Sequence, residues 1–228
     1  MTPPPIPADS PRGMRDPAAR AARAHRLEEP HIAPLTGLVR EILAARPGAA
    51  VPWFDPESGG VAARILLLLE APGGMAAEGP RSAGPAPSGF ISLDNDDQSA
   101  QALFGIVTEA GLDRREILNW NIVPWYLGAP DHSKVRRATN ADIDEGSVWL
   151  GQLIGLMPEL RIAVLIGRKA LLGWFRVATQ LERPIPVLAC PHPSPKVLGP
   201  NPGQRDVILD TLRAAARFAA QFPAHGPR

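Results

Sequence analysis

Arg64-Ile65-Leu66-Leu67-Leu68-Leu69-Glu70-Ala71-Pro72-Gly73-Gly74 is the stretch on which the fold turns. A strand with one wet face alternates apolar and polar residues. An unbroken aliphatic run, stopped by a Pro-Gly turn, has the pattern of a strand buried on both faces. Such a strand belongs in a parallel sheet with helices on either side. Glu116 to Val123, Arg161 to Ile166 and Ile185 to Ala189 read as three further strands. Helical spacing fills the gaps between them. Leu35, Leu38, Val39, Ile42 and Leu43 make one amphipathic helix, ending near Pro47-Gly48. Ala102, Leu103, Ile106, Val107 and Ala110 make a second, which stops at Gly111. Thr139 with Asp142 has the spacing of a capping box. It opens a third helix, with Val148, Leu150, Leu153, Ile154 and Leu156. A fourth starts at Arg168, and the last carries Ile208, Leu212, Ala215, Ala219 and Phe222. Strands alternating with helices predict an α/β fold: a three-layer α/β/α sandwich around a central, mainly parallel four-stranded sheet.

The composition is that of a folded domain with a proline-rich start. The 228 residues are 45% hydrophobic and 21% charged. The 21 glycines and 27 prolines stay below the roughly 25–30% that marks wholesale disorder. Pro3-Pro4-Pro5-Ile6-Pro7 cannot form helix or sheet, and few large apolar side chains follow before residue 30. Residues 1–30 are therefore expected to be a loosely ordered tail, and 31–228 a single catalytic domain. Net charge is +1, so a nucleic-acid partner would need a local basic patch. Cys190 stands alone, which excludes an internal disulfide and points to a reducing, cytoplasmic setting. The five histidines, His25, His31, His132, His192 and His225, lack ligand spacing, so no metal is expected. The longest apolar run, Ile65 to Leu69, is far short of the roughly 18 residues of a membrane span, and none is expected.

In parallel α/β sheets ligands bind outside the carboxyl ends of the strands. That rule selects three segments. His192-Pro193-Ser194-Pro195 follows the fourth strand. It is either a proline-rich turn with an incidental imidazole, or a backbone stiffened to hold one imidazole and one hydroxyl still. Glu70-Ala71-Pro72-Gly73 ends the first strand and is either a simple turn or a carboxylate placed at the sheet's mouth. It lacks the Gly-x-Gly-x-x-Gly spacing of a dinucleotide loop. Asn121, in Asn119-Trp120-Asn121-Ile122-Val123-Pro124-Trp125, either satisfies a turn or offers an amide that donates and accepts at once, as reading a pyrimidine edge requires.

Taken in order, these segments resemble the uracil-DNA glycosylase superfamily over about residues 52–220. His-Pro-Ser-Pro is that family's last motif, unaltered at 192–195. Glu70-Ala71-Pro72-Gly73 resembles its first motif, in the form used by the iron–sulfur branch. Asn121 matches the strand-end Asn, Phe90 in Gly89-Phe90-Ile91-Ser92 matches the stacking aromatic, and Val164 to Ala170 resembles the third strand and helix start. The iron–sulfur branch has four cluster cysteines, absent here, so the resemblance is to a cluster-free relative without a cofactor.

The resemblance implies a monomeric DNA-repair enzyme that flips uracil out of single- or double-stranded DNA and hydrolyses its N-glycosidic bond. His192 would donate a hydrogen bond to uracil O2, Asn121 would pair with N3–H and O4, and Phe90 would stack on the ring. Ala71, Pro72, Gly73 and Ser194 complete the expected base site. Ala71 stands where the best-known branch has a water-activating Asp, which leaves Glu70, Asp94, Asp96 or Asp97 for that task. Ser194, Lys196, Arg136, Arg137 and Lys134 are candidates for phosphate contacts, and Val197 or Leu198 for the wedge that replaces the flipped base. Gly73 occupies the position of the bulky Tyr that excludes thymine in the best-known branch. Three alternatives stand beside this reading: a uracil-DNA binder without turnover, a glycosylase for another deaminated base such as hypoxanthine or xanthine, and a plain nucleotide-binding domain.

Overall fold

The computed structural model describes residues 10–77, 85–129 and 135–222. Four parallel strands form the sheet: β1 (Ile65–Leu69), β2 (Ile117–Asn121), β3 (Ile162–Ile166) and β4 (Val187–Cys190), in the spatial order β2-β1-β3-β4. The aliphatic run of β1 is central, with β2 and β3 on its two sides. Its inner residues Ile65 to Leu68 are fully buried, as an unalternating strand must be.

Period-2 alternation divides the core into two layers. Leu66, Leu68, Leu118, Trp120, Ala163 and Leu165 face one side. There they meet α2 (Ala33–Ala45), α4 (Asn140–Gly155) and α5 (Arg168–Val177) through Leu38, Ile42, Leu150, Leu153, Ala170 and Trp174. Ile65, Leu67, Ile117, Ile162, Val164 and Ile166 face the other side, against α3 (Gln98–Glu109) and α7 (Gln204–Ala220). The architecture is the α/β/α sandwich that the residue pattern predicts. Val148 is the exception within its helix: it is exposed, because the buried stripe of α4 runs through Ile143, Gly146, Leu150 and Leu153 instead.

Local chemistry sets the helix starts. Thr139 and Asp142 form a complete capping box on α4, each side chain accepting from the other's backbone N–H. The Asp97 carboxylate caps α3 by accepting from the Ser99 and Ala100 N–H groups, both at 2.9 Å. Gly167 begins α5 at φ +87°, a conformation open to glycine at little cost.

Residues 10–30 depart from the expected loose tail. They contain a single 3₁₀ turn at Gly13–Arg15 and α1 (Pro17–Ala24), which packs on the body of the protein. Met14 is 2% exposed and Arg23 6%. Hydrophobic periodicity does not reveal this segment, because ion pairs hold it in place. The Pro3 to Pro7 run lies outside the described residues.

Candidate functional site

Strand register aligns the ends of the sheet. Leu69 pairs with Asn121, and Ile166 with Cys190. The segments that follow β1 and β4 therefore emerge at one edge, with the end of β2 beside them. A cavity of about 180 Å³ opens there. Its walls include Ala71, Pro72 and Gly73 from the first segment, Asn119 and Asn121 from β2, and His192 and Pro193 from the last. Ile91, Asn95, Asp97 and Leu103 close the remaining side. The volume lies below the roughly 300–1,000 Å³ of sites for drug-sized ligands, and suits a single ring system. A larger groove, about 610 Å³, runs between α4 and the end of α5. It lies away from the strand ends, and its guanidinium, Arg183, is spent on the carbonyls of Met157 and Leu160.

His192 has a defined tautomer. The Ser194 backbone N–H donates to His192 Nδ1 at 3.1 Å. Nδ1 is thus the acceptor, and a neutral ring carries its proton on Nε2. Burial lowers the imidazole pKa, while the negative charges of Glu70 and Asp97 pull it upward. Desolvation is the larger cause, so the ring is held neutral below the usual histidine range. Gly167 lies close by: a Cβ there would sit 3.6 Å from His192 Cβ. Cys190, two residues earlier, is buried, and burial pushes its thiol up to about 12, out of nucleophilic use.

Asn121 is 5% exposed at the end of β2, with its amide in the cavity wall. Asn119, two residues back on the same face of the strand, joins it; only Asn121 was expected. Glu70, half-buried just past β1, is not among the residues that line the cavity; its carboxylate accepts from the Ala138 N–H at 2.8 Å.

Of the four acidic candidates, Glu70 and Asp97 come close enough to act on His192. Asp94 and Asp96 do not belong to the cavity. Asp96 pairs with Arg15 at 2.9 Å, which holds its carboxyl below the usual range. Asp94 lies between Arg23 and Arg114, and its burial raises it to about 6 against the pull of both arginines.

Other positions fall differently from expectation. Ile91, not Phe90, lines the cavity; adjacent residues of a strand point to opposite faces, and Phe90 is 3% exposed, paired in register with Trp53. Arg136 is engaged by Asp142 in two hydrogen bonds of 2.6 and 2.8 Å, so it braces the capping box rather than standing ready for a phosphate. Arg137 is exposed, and Lys134 lies outside the described residues. The loop after His-Pro-Ser-Pro winds into a short helix, α6 (Pro195–Leu198). Within it Lys196 is exposed, Leu198 packs against the core, and Val197 is half-buried.

A model described as the uracil DNA glycosylase superfamily matches residues 56–213. The chain belongs to the uracil DNA glycosylase superfamily. Membership makes it a DNA glycosylase, a base-excision hydrolase whose substrate is DNA. No curated protein matches the chain. The match spans every glycosylase motif segment, from the β1 turn to α7, and begins after both α1 and α2. Among the described residues no helix is long and apolar enough to cross a membrane.

Proposed function

We propose that this glycosylase removes uracil from DNA, acting as a monofunctional, cytoplasmic monomer. The observation that carries the reading is the pairing of a neutral His192, its Nε2–H fixed by the Ser194 hydrogen bond, with the Asn121 amide in one cavity. As the glycosidic bond breaks, negative charge gathers on the base and positive charge on the sugar. A fixed donor aimed at the base oxygen stabilises the first without carrying a proton away, and such donors contribute about 3–4 kcal/mol. An amide both donates and accepts, which complements uracil's O4 and N3–H and opposes cytosine's reversed pattern. The carboxylates of Glu70 and Asp97 supply negative charge for the sugar. Each accepts backbone N–H groups through one oxygen, Asp97 from the α3 amides and Glu70 from Ala138, and keeps the other oxygen for the attacking water; Glu70 stands beside Asp97 as our candidate for that task.

The base must first leave the duplex, which costs a few kcal/mol and is easiest where pairing is weak. Val197 is the wedge candidate, since Leu198 is committed to packing. A labelled oligonucleotide with one uracil, single-stranded or opposite G or A, tests the proposal. Alkali-labile strand cleavage, lost by a hundredfold or more in His192→Ala and Asn121→Ala, supports it. A uracil-specific gel shift without cleavage would mean binding without turnover.

One observation favours a broader base range. A Cβ built at Gly73 meets nothing within 4 Å among the described residues, so they leave room beside the ring on this wall. Thymine opposite G, hypoxanthine and xanthine belong in the same assay. Cleavage of any of them at a rate near that for uracil would widen the assignment.

A further inference from the structure

The cavity wall from Ile91 to Asp97 is not held by the sheet. It is a loop between a two-residue strand, Phe90–Ile91, and α3. Three of its residues, Ile91, Asn95 and Asp97, face the cavity. Asn95 is 3% exposed and donates through its amide nitrogen to the Phe90 carbonyl at 2.9 Å. Its Oδ1 is buried and accepts no hydrogen bond among the described residues, which leaves that atom with bonding capacity for a base. Asp97 acts on His192 by charge. Where this loop sits therefore matters to the chemistry.

The N-terminal segment grips the loop at three points. Arg23, on α1, reaches Asp55 at 2.7 Å and Asp94 at 2.5 Å. Arg114 joins the same two carboxylates at 3.0 Å each, and Ser92 donates to Asp55 at 2.5 Å. Two guanidinium groups thus balance two carboxylates in a buried square. Nearby, the Met14 N–H donates to the Asp94 carbonyl at 3.0 Å. Arg15 forks onto Asp96 with bonds of 2.9 and 3.0 Å, joined by Arg12 at 3.4 Å, next to the capping residue Asp97. Asp94 and Asp96 flank Asn95, so the clasps lie on either side of the residue with the open acceptor.

We propose that residues 10–29 are a strap that sets the position of the base-pocket wall, with Arg23 as its positioning residue. The family match begins at residue 56, so the strap residues 10–29 lie before it, while the residues they hold, Asp94 and Asp96, lie within it. Arg23 does not touch the cavity. It acts through Asp94 and the loop. The buried square supports this role, because burying two carboxylates and a guanidinium is tolerable only when they are paired. A lone ammonium cannot span both Asp55 and Asp94, so lysine is a poor replacement at this position.

The test rests on the proposed uracil activity for its kinetic arm, and hydrogen exchange supplies an arm that does not. Arg23→Ala, Arg23→Lys and the milder Arg12→Ala/Arg15→Ala protein are compared with the parent, all full length. The strap predicts faster exchange at the amides of Asp94, Ser99 and Ala100, by about tenfold or more, with β1 and β2 unchanged. It also predicts a fall of about tenfold in single-turnover rate on the uracil oligonucleotide, well below the melting temperature, with Arg23→Lys only partly restored. A merely structural Arg23 would lower the melting temperature and speed exchange evenly across the chain, with the single-turnover rate kept; that result overturns the proposal. Unchanged loop exchange in a folded Arg23→Ala protein overturns it too. If Arg23→Ala does not fold, the Arg12→Ala/Arg15→Ala pair decides, since it releases Asp96 but leaves the buried square of Arg23, Arg114, Asp55 and Asp94 intact. A parent protein that cleaves no base refutes the proposed activity, while the exchange arm still judges the strap.

Discussion

The tautomer of His192 makes a demanding prediction about pH. Its Nδ1 accepts the Ser194 N–H, so protonating Nδ1 would exchange an attraction for two donors facing each other at 3.1 Å. A buried donor left without an acceptor costs about 1–3 kcal/mol. Burial adds to this, and both effects keep the ring neutral below the ordinary histidine value of about 6.5. Cleavage should therefore stay flat from alkaline pH down through 6.5, and fall only at lower pH as the imidazolium forms. The same shift has a stability consequence. The unfolded chain takes up a proton near 6.5 that the folded chain refuses, so His192 costs stability as pH drops below that value. His192→Ala should lose about 10²–10³ in single-turnover rate, or 2.7–4 kcal/mol, the loss typical of one preorganised donor. Because Asp94 also titrates near 6, the kinetics are paired with ¹⁵N NMR of the imidazole, which assigns the ring directly. The reasoning is refuted by an imidazolium that persists above pH 6.5, by a rate that rises on acidification, or by a His192→Ala protein within about threefold of the parent.

Four other outcomes are expected. Gly73→Tyr fills the open side of the cavity, so cleavage of thymine or hypoxanthine should fall by at least tenfold while uracil cleavage persists; an equal loss on all bases would mean the side chain blocks the site outright. Glu70→Gln should lower the single-turnover rate more than the dissociation constant, and Asp97→Asn should lower both the rate and the melting temperature, because Asp97 also caps α3. Asp142→Asn removes the Arg136 fork and half a capping box, with an expected loss of about 1 kcal/mol and about 2–4 °C in thermal melting. The Arg136 guanidinium keeps the Asp142 carboxyl well below its usual range, so this stabilisation is present at neutral pH and fades as pH falls below about 4. Lys196→Gln should reduce the slope of log affinity against log salt by about 1, uniformly across sequences, if that ammonium meets a phosphate.

What could be read from the sequence follows from which forces act locally. The four strands and the helices of the sandwich are written in apolar periodicity, and Ile65–Leu69 alone requires helices on both faces of its sheet. His192, Asn121 and the Ala71-Pro72-Gly73 turn converge because strand ends in one parallel sheet lie side by side. Their meeting is a property of topology, and topology follows from the pattern. Phe90 and Ile91 show the limit of this reasoning. A one-residue choice of face in a two-residue strand has no periodicity to fix it, and only the pairing with Trp53 decides. Asn119 could have been found from the i, i+2 rule once Asn121 was placed at a strand end. Arg23 could not. Its partners stand 32 and 71 residues away, and nothing in an Ala/Arg-rich segment names them.

The same ion pairs change the meaning of the chain's basic residues. A count of arginines in the first thirty positions suggests an arm for a polyanion. Yet Arg12 and Arg15 are turned to Asp96, Arg23 to Asp55 and Asp94, and Arg26 to Glu29 and Glu57. Farther along, Arg114 and Arg136 are committed to Asp94 and Asp142. These cations do their electrostatic work within the protein. Among the described residues Arg137 before α4, Arg168 and Lys169 at the start of α5, and Lys196 on α6, just after the cavity residues His192 and Pro193, make no ion pair, nor does the exposed Arg217 on α7. A near-neutral protein that pairs most of its arginines internally has few free cations for a phosphate backbone, and Lys196, four residues past His192, is one of them. Such phosphate contacts would supply affinity and register, while the groups that line the cavity supply selectivity among bases.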